Sequence, residues 1–386
     1  MSDTLPPTQT DLTSQLGQGP FIPYVCEGPG VPGLVSVLIP TYNRAYILGK
    51  AIDSVLAQTY RQIEVIVVDD GSTDDTRAML ARYGDRVRCI HQENAGLAAA
   101  RNSGLAVARG EFIAFQDSDD EWEPWKLEAQ VTLMQRLPKL VLTWTDMSAI
   151  SPDGELIRER HLSTMYHAYR SIDTNEFMPH TASLNELWPT SPAALANTTC
   201  RWGDIFSAMF MGNIVHPPTA LMRRSAVHRA GGLDLAYAWS CEDYEFFWRV
   251  SRQGDSGLID APGMRYRVDA SDQLTKPGLR LYVARGNLAA LEDRLQSAHR
   301  EAAPFAPLSP ALLRAHLAEA YGWLGEEELF SPAGRRGIAI KSLWTALRMG
   351  VRETRLLKLL IYSLTLPSPL VQWLRAVKTS QTPQSA

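Results

Sequence analysis

The sequence predicts an α/β fold: a doubly wound, mainly parallel sheet followed by an all-α C-terminal appendage. Three observations carry this reading. Across residues 34–144, short apolar runs rich in β-branched residues alternate with segments of helical spacing. Such runs suit strands buried on both faces of a parallel sheet. Their order, strand then helix then strand, is that of a doubly wound sheet, in which ligands sit at the carboxyl ends of the strands. Beyond Arg280 only the helical period remains.

The elements follow in order. Leu34–Ile39, Ile63–Val68, Val87–Ile90, Phe112–Phe115 and Leu140–Trp144 are the predicted strands. Leu48, Ile52, Val55 and Leu56 repeat at helical spacing between the first two. Asn94–Arg109 is Ala-rich and predicts a helix before the fourth strand. Residues 145–212 carry Pro152, Pro179, Pro189 and Pro192 with little periodicity, and predict a variable insertion that shapes a binding cleft. Regular pattern resumes with a strand at Thr219–Met222, a helix near Ser225–Ala230 closed by Gly231-Gly232, and a helix over about Glu242–Gln253. Farther on, Ser309-Pro310 predicts an N-cap and first-turn proline, with Gly325 as the stop. Ile340, Leu343, Trp344 and Leu347 form the next stripe, and Ser368-Pro369 starts a last helix. The expected domains are a flexible arm at 1–33, a catalytic domain at 34–279 and a helical region at 280–386.

Composition excludes several classes. Hydrophobic residues make up 45% and charged residues 21% of the 386, which is globular composition. The net charge of −4 gives no sign of a nucleic-acid partner. Four cysteines without a CxxC pair argue against a disulfide scaffold or a zinc ribbon. The longest apolar stretch, Leu356–Leu366, is broken by Lys358 and is too short to span a bilayer. With no secretory signal at the N-terminus, the expected setting is cytoplasmic. Charge is uneven: from Arg280 onward 14 basic residues face 8 acidic ones, so that part carries +6 and residues 1–279 carry −10. Residues 351–386 interleave Arg352, Arg355, Lys358, Arg375 and Lys378 with Leu356, Leu357, Leu359, Leu360 and Trp373. That pattern suits peripheral contact with an anionic membrane, although helical apolar stripes more often mark a core face.

Three acidic clusters fall at predicted strand or helix ends: Asp69-Asp70-Gly71-Ser72, Asp117-Ser118-Asp119-Asp120 and Glu242-Asp243. Crowded carboxylates repel, so such clusters call for a cation or a bound donor group. Hard cations such as Mg²⁺ and Mn²⁺ take oxygen ligands and bridge carboxylates to substrate phosphates. Each cluster has an ordinary alternative. Asp, Ser and Gly after a strand form turns, Asp119 or Asp120 could cap a helix over Trp122–Leu133, and Ser240 with Asp243 matches a capping box. Three clusters at successive ends of one sheet favour the functional reading.

Together with Val35-Ser36-Val37-Leu38-Ile39-Pro40-Thr41-Tyr42-Asn43-Arg44 and Asp69-Asp70-Gly71-Ser72-Thr73-Asp74, these clusters resemble the family 2 inverting glycosyltransferases. Gly96-Leu97-Ala98-Ala99-Ala100-Arg101-Asn102, Phe115-Gln116-Asp117-Ser118-Asp119-Asp120, Gly231-Gly232-Leu233-Asp234 and Glu242-Asp243-Tyr244-Glu245 extend the likeness over roughly residues 34–270. The resemblance implies the GT-A fold, a nucleotide-sugar donor (UDP-linked sugars favoured), a carbohydrate or lipid-linked acceptor, Mg²⁺ or Mn²⁺, and a role in cell-surface polysaccharide or glycolipid synthesis. It also implies roles by position. Pro40, Thr41 and Tyr42 would line the base and Asp70 would bond to it. Asp117 would face the ribose with Arg101 nearby, Asp119 and Asp120 would hold the metal, and Asp243 would be the catalytic base. Many relatives carry a metal-binding His where this chain has Asp269.

Two other patterns carry no function. Gly28-Pro29-Gly30-Val31-Pro32-Gly33 fits the dinucleotide pattern GxGxxG, but it precedes a strand and holds two prolines where a helix should begin. Asn197-Thr198-Thr199 is a chance sequon in a chain without a signal peptide. The histidines, His216 before Pro217-Pro218 among them, show no metal-ligand spacing and are expected to be ordinary. The rival to an enzyme is a catalytically silent nucleotide-sugar-binding or scaffold protein of the same fold.

Overall fold

The computed structural model describes residues 30–237, 241–268, 280–301, 308–331, 333–350, 354–367, 369–371 and 373. Two compact units divide the chain near residue 270.

In the first unit, apolar runs become strands and the spaced repeats become the helices that cover them. The order is β1 (Val31–Thr41), α1 (Leu48–Leu56), β2 (Ile63–Asp69), α2 (Thr76–Ala81), β3 (Arg88–His91), α3 (Leu97–Val107) and β4 (Gly110–Phe115). A two-residue β5 (Glu121–Trp122) precedes α4 (Lys126–Arg136) and β6 (Leu140–Ile150). Then come β7 (Leu156–Arg158), β8 (His180–Ser183), β9 (Thr199–Gly203), β10 (Leu221–Arg223), α5 (Arg224–Ala230), α6 (Glu242–Ser251) and β11 (Asp255–Arg267).

Among the described residues eleven strands share one sheet, in the order β3-β2-β1-β4-β10-β6-β11-β9-β8, with β5 beside β11 and β7 beside β6. The sheet is mixed, and its longer pairings, β1 with β2 and β4 and β6 with β11, are parallel. β10 runs antiparallel to both β4 and β6, so β6 points the same way as β4. The carboxyl ends of β1, β2, β4, β6 and β11 therefore lie along one edge.

Packing follows from pattern. Val35, Val37, Leu38 and Ile39 of β1 and Ile66, Val67 and Val68 of β2 are fully buried, and α1 turns Leu48, Ala51, Ile52 and Val55 onto them. Each such side chain contributes about 1.5–3 kcal/mol by leaving water. At Gly104 in α3 a Cβ would come within 3.3 Å of Leu38 and Val68, so the Ala- and Gly-rich face lets α3 sit close on the sheet.

Four expectations change. Residues 31–33, expected in the arm, are the start of β1; residues 1–29 lie outside the described residues. The glycine pattern there serves packing, since a Cβ on Gly30 would meet the Gly110 carbonyl at 2.6 Å. The helix expected over Trp122–Leu133 starts at Lys126, because Glu121 and Trp122 pair with Arg265 and Met264 of β11. Asp119 and Asp120 therefore do not cap it. Residues 145–212 are more regular than their low periodicity suggests. β6 runs through to Ile150 with every residue buried, and β8 and β9 add to the same sheet. Polar Thr145, Asp146 and Ser148 hide this strand in the sequence; Asp146 accepts from the Met147 and Leu162 amides, and Ser148 donates to the Met264 carbonyl. β11 is hidden by Pro262 and Gly263, which sit where its register against β6 shifts.

The second unit contains α7 (Arg280–Glu301), α8 (Pro310–Phe330), α9 (Arg336–Arg348) and α10 (Thr354–Thr365). Ser309 caps α8 through the Leu312 amide. The stop expected at Gly325 is not there: α8 continues to Phe330, and a Cβ on Gly325 would come within 2.6 Å of Leu343. That glycine is a contact point between α8 and α9 and not a terminator. Leu356, Leu359 and Leu360 of α10 join Leu329, Leu343 and Ala346 in this unit's core, while Leu357, Ile361 and Leu364 are exposed. Ser368, Arg352, Arg375 and Lys378 lie outside the described residues. No helix among the described residues is long and apolar enough to cross a membrane.

Candidate active site

The loops at the carboxyl edge of the sheet hold one another by side-chain-to-backbone bonds. Asn43, after β1, adopts a left-handed φ of 51° and accepts from the Thr73 amide at 2.8 Å, while its own amide donates to Ser72 Oγ at 2.9 Å. The Thr-Tyr-Asn-Arg and Asp-Gly-Ser-Thr-Asp stretches are thus two halves of one clip. Asp70 accepts from Gln92 Nε2 (2.7 Å) and from the amides of Ala95 and Gly96 (2.9 and 2.8 Å), which fixes the entry to α3. Two of these donors fall on Oδ1 and one on Oδ2, which leaves one acceptor position on Oδ2 for a nucleobase. Of the other residues expected around the base, Pro40 is buried, Tyr42 is 47% exposed, and the buried Thr41 Oγ1 has no hydrogen-bond partner among the described residues.

α3 ties the donor-side loops to the acceptor-side motif. Asn102 donates to the Leu233 carbonyl and accepts from its amide, pinning the Gly-Gly-Leu-Asp turn. Beside it in α3, Arg101 is buried and forked. Nη2 donates to Asp117 at 2.9 Å and Nη1 to Glu242 at 3.0 Å, with the guanidinium over the Phe115 ring. Burial works against its charge, and Asp117, Glu242 and Asp243 outweigh that and hold it above its usual range.

Glu242 and Asp243 open α6 and diverge. Burial, with Asp243 beside it, pushes the Glu242 carboxyl up to about 7. Asp243 accepts from Asn213 Nδ2 at 3.1 Å and from the Tyr244 amide at 2.8 Å, and burial raises it above the ordinary aspartate range. Ser240, the cap suggested by sequence, lies outside the described residues.

The loop after β4 divides its three aspartates. Asp117 faces Arg101. Asp119 pairs with Arg44 at 2.7 Å. Asp120 is 1% exposed; its Oδ1 accepts from the Arg267 amide at 2.9 Å, while Oδ2 is buried with no hydrogen-bond partner among the described residues. Burial and its two neighbouring aspartates push it well above the usual carboxylate range. Facing it at 3.9 Å is Nε2 of His216, an atom also buried without a hydrogen-bond partner among the described residues. Ligand atoms of Asp117, Asp120 and His216 all lie within 4.8 Å of one another, a spacing a cation could close. Asp119 is not in that trio, and Asp269 lies outside the described residues. His216, expected to be ordinary, is thus part of the site; no local spacing could reveal it, because its partners are about a hundred residues away. Asn213 and Tyr166 likewise give no sequence signal.

Comparison with known proteins agrees with this architecture. The profile of Glycosyl transferase family 2 matches residues 36–188. A UDP-Glc:alpha-D-GlcNAc-diphosphoundecaprenol beta-1,3-glucosyltransferase of Escherichia coli, WfgD, is 46% identical over 147 residues, which is 38% of this chain and 55% of that one. TuaG of Bacillus subtilis, a putative teichuronic acid biosynthesis glycosyltransferase, is 36% identical over 152 residues, 38% of this chain and 58% of its own. An uncharacterized glycosyltransferase of Rickettsia prowazekii, RP339, is 42% identical over 104 residues, 27% of this chain and 33% of its own length. The chain thus spans only part of each relative. Residues 1–349 of TarS from S. aureus share the fold, with a TM-score of 0.51 at 18% identity over 90% of each chain. The fold is GT-A, and residues 36–188 are similar to glycosyl transferase family 2.

Proposed function

We propose that this protein is an inverting, divalent-cation-dependent glycosyltransferase. It moves a sugar from a nucleotide-sugar donor, UDP-linked by preference, to an acceptor hydroxyl in the assembly of a cell-surface polysaccharide or glycolipid. The observation that carries this reading is the convergence, at one edge of the sheet, of the Asp117–Asp120 loop with the Glu242-Asp243 pair, Arg101 bridging Asp117 and Glu242. The activities for which WfgD and TuaG are named support the polymer class, and a TarS complex with UDP-GlcNAc, TM-score 0.50, supports a nucleotide-sugar cleft in this fold.

The residues present suit a hard cation: carboxylates, a buried oxygen without a donor, and an imidazole nitrogen. Asp117, Asp119 and Asp120 would hold Mg²⁺ or Mn²⁺, whose Lewis acidity offsets charge on a departing diphosphate. Asp243, held by Asn213 and the Tyr244 amide, takes the proton of the acceptor hydroxyl. The hydroxyl oxygen bonds to the anomeric carbon from the face opposite the leaving group, and the carbon–oxygen bond to the diphosphate breaks. Arg101 keeps Asp117 and Glu242 in place and compensates their charge. Pro40, Thr41 and Tyr42 form the base-binding side, and residues 145–212 contribute to acceptor choice. The exposed Leu357, Ile361 and Leu364 of α10, with Lys358 among them, would rest on an anionic membrane at the cytoplasmic face.

Nucleoside diphosphate release from a panel of sugar nucleotides, with and without Mn²⁺, tests the reading. Cation-dependent release that rises with an acceptor glycan supports it. Cation-dependent donor binding that never yields product favours the silent binder instead.

A further inference from the structure

His216 comes from a proline-rich turn, Tyr166 from the segment after β6, and Asp120 from the loop after β4. The structure brings these three distant pieces into one line. Tyr166 Oη lies 3.0 Å from His216 Nδ1, and His216 Nε2 lies 3.9 Å from Asp120 Oδ2. That second gap is too long for a hydrogen bond, and neither atom has another hydrogen-bond partner among the described residues. Buried polar atoms left unsatisfied in this way are costly, so the pair calls for something between them. Two atoms bound to one cation at about 2.1 Å lie about 3 Å apart when adjacent and just over 4 Å when opposite, so this gap has the width of a shared ion.

We propose that His216 is a protein ligand of the divalent cation through Nε2, and that Tyr166 is the positioning residue that fixes its ring. The proposal rests on the cation-dependent reading above and adds to it a ligand from outside the acidic loop. For Nε2 to offer a lone pair, the ring hydrogen must sit on Nδ1, where it donates to the Tyr166 oxygen. Ligating histidines regularly donate their second nitrogen in this way. The Tyr266 ring, its centroid 5.0 Å from that of His216 in an edge-on contact, restrains the imidazole from the side. The arrangement supplies a neutral nitrogen ligand while Asp119 is engaged by Arg44. It also ties the cation to the segment that carries Tyr166, so a change in that segment alters metal affinity as well as acceptor choice.

The test is electron spin-echo spectroscopy of the full chain with Mn²⁺ and UDP, alongside Mn²⁺ titration of His216→Gln and Tyr166→Phe. The expected result is ¹⁴N modulation from a directly bound imidazole in the wild type, lost in His216→Gln. Mn²⁺ affinity should fall tenfold or more in His216→Gln and by about tenfold in Tyr166→Phe, which keeps the ring and loses only the hydroxyl. A wild-type complex that binds Mn²⁺ but shows no imidazole modulation overturns this inference and leaves cation dependence standing. A wild type that binds no Mn²⁺, with or without UDP, overturns both. The wild-type spectrum separates these outcomes even if a variant fails to fold.

Discussion

Replacing Asp243 by Asn separates the proposed base from the structure around it. The side chain makes two bonds, Oδ1 to the Tyr244 amide at 2.8 Å and Oδ2 to Asn213 Nδ2 at 3.1 Å. An asparagine keeps the first. Its amide nitrogen then meets the Asn213 amide, donor to donor, and Asn213 cannot simply turn over because its oxygen already accepts from the Val215 amide at 3.1 Å. One hydrogen bond to a carboxylate is lost, about 1.5–3 kcal/mol. Removing a carboxylate that repels Glu242 and Asp117 offsets part of this. The melting temperature should therefore fall by no more than about 10 °C. Loss of a general base costs about 10²–10⁴ in rate, or roughly 3–5 kcal/mol of barrier. Thermal melting, UDP titration in Mn²⁺ and initial rates of UDP release, on the same preparation, provide the comparison. Wild-type turnover in Asp243→Asn refutes the assignment. So does a rate loss accompanied by an equal loss of UDP binding, since that would place Asp243 in donor binding and not in proton transfer.

Asp119→Ala should abolish cation-dependent UDP binding in a chain that still folds; unchanged UDP affinity in Mn²⁺ removes Asp119 from the metal site. Because the base must be ionised and burial raises Asp243, kcat should rise with pH through a midpoint above the ordinary aspartate value of about 3.9, and a midpoint at or below it contradicts the buried base. Glu242 binds its proton more tightly folded than unfolded, so folding stability should fall as pH rises from about 4.5 to about 7, by on the order of 3 kcal/mol; chemical denaturation of Glu242→Gln should show that slope flattened, and Glu242→Gln should cost less activity than Asp243→Asn. Substituting Leu357, Ile361 and Leu364 by Asp leaves the buried face of α10 intact, and should abolish co-sedimentation with anionic vesicles; equal pelleting of variant and wild type rules out that membrane face.

Residues 34–115 are legible because their pattern is local. A strand buried on both faces must be apolar throughout, and a covering helix must repeat its apolar residues every three or four positions, so β1 to β4, α1 and α3 announce themselves, while the six-residue α2 is too short to show a period. The acidic clusters are legible for a related reason: carboxylates crowded at strand ends need something to neutralise them. Strands β6 and β11 are not, since polar Asp146 and Ser148 are satisfied by partners distant in sequence, and Pro262 fits only because the pairing slips beside it. Gly325 shows the same limit in the second unit, where a helix stop by local rule is instead a contact with Leu343.

The sequence by itself determined the strand–helix order, the edge where chemistry gathers and the candidate carboxylates. Only the tertiary structure decided how those carboxylates divide: Asp119 to Arg44, Asp117 to Arg101, Asp120 toward His216, and Asp243 to Asn213. The reason is physical. A motif records which charges must be compensated, but the compensating group is whichever side chain folding brings within reach, and for Asp120 and Asp117 that includes a histidine about a hundred residues away.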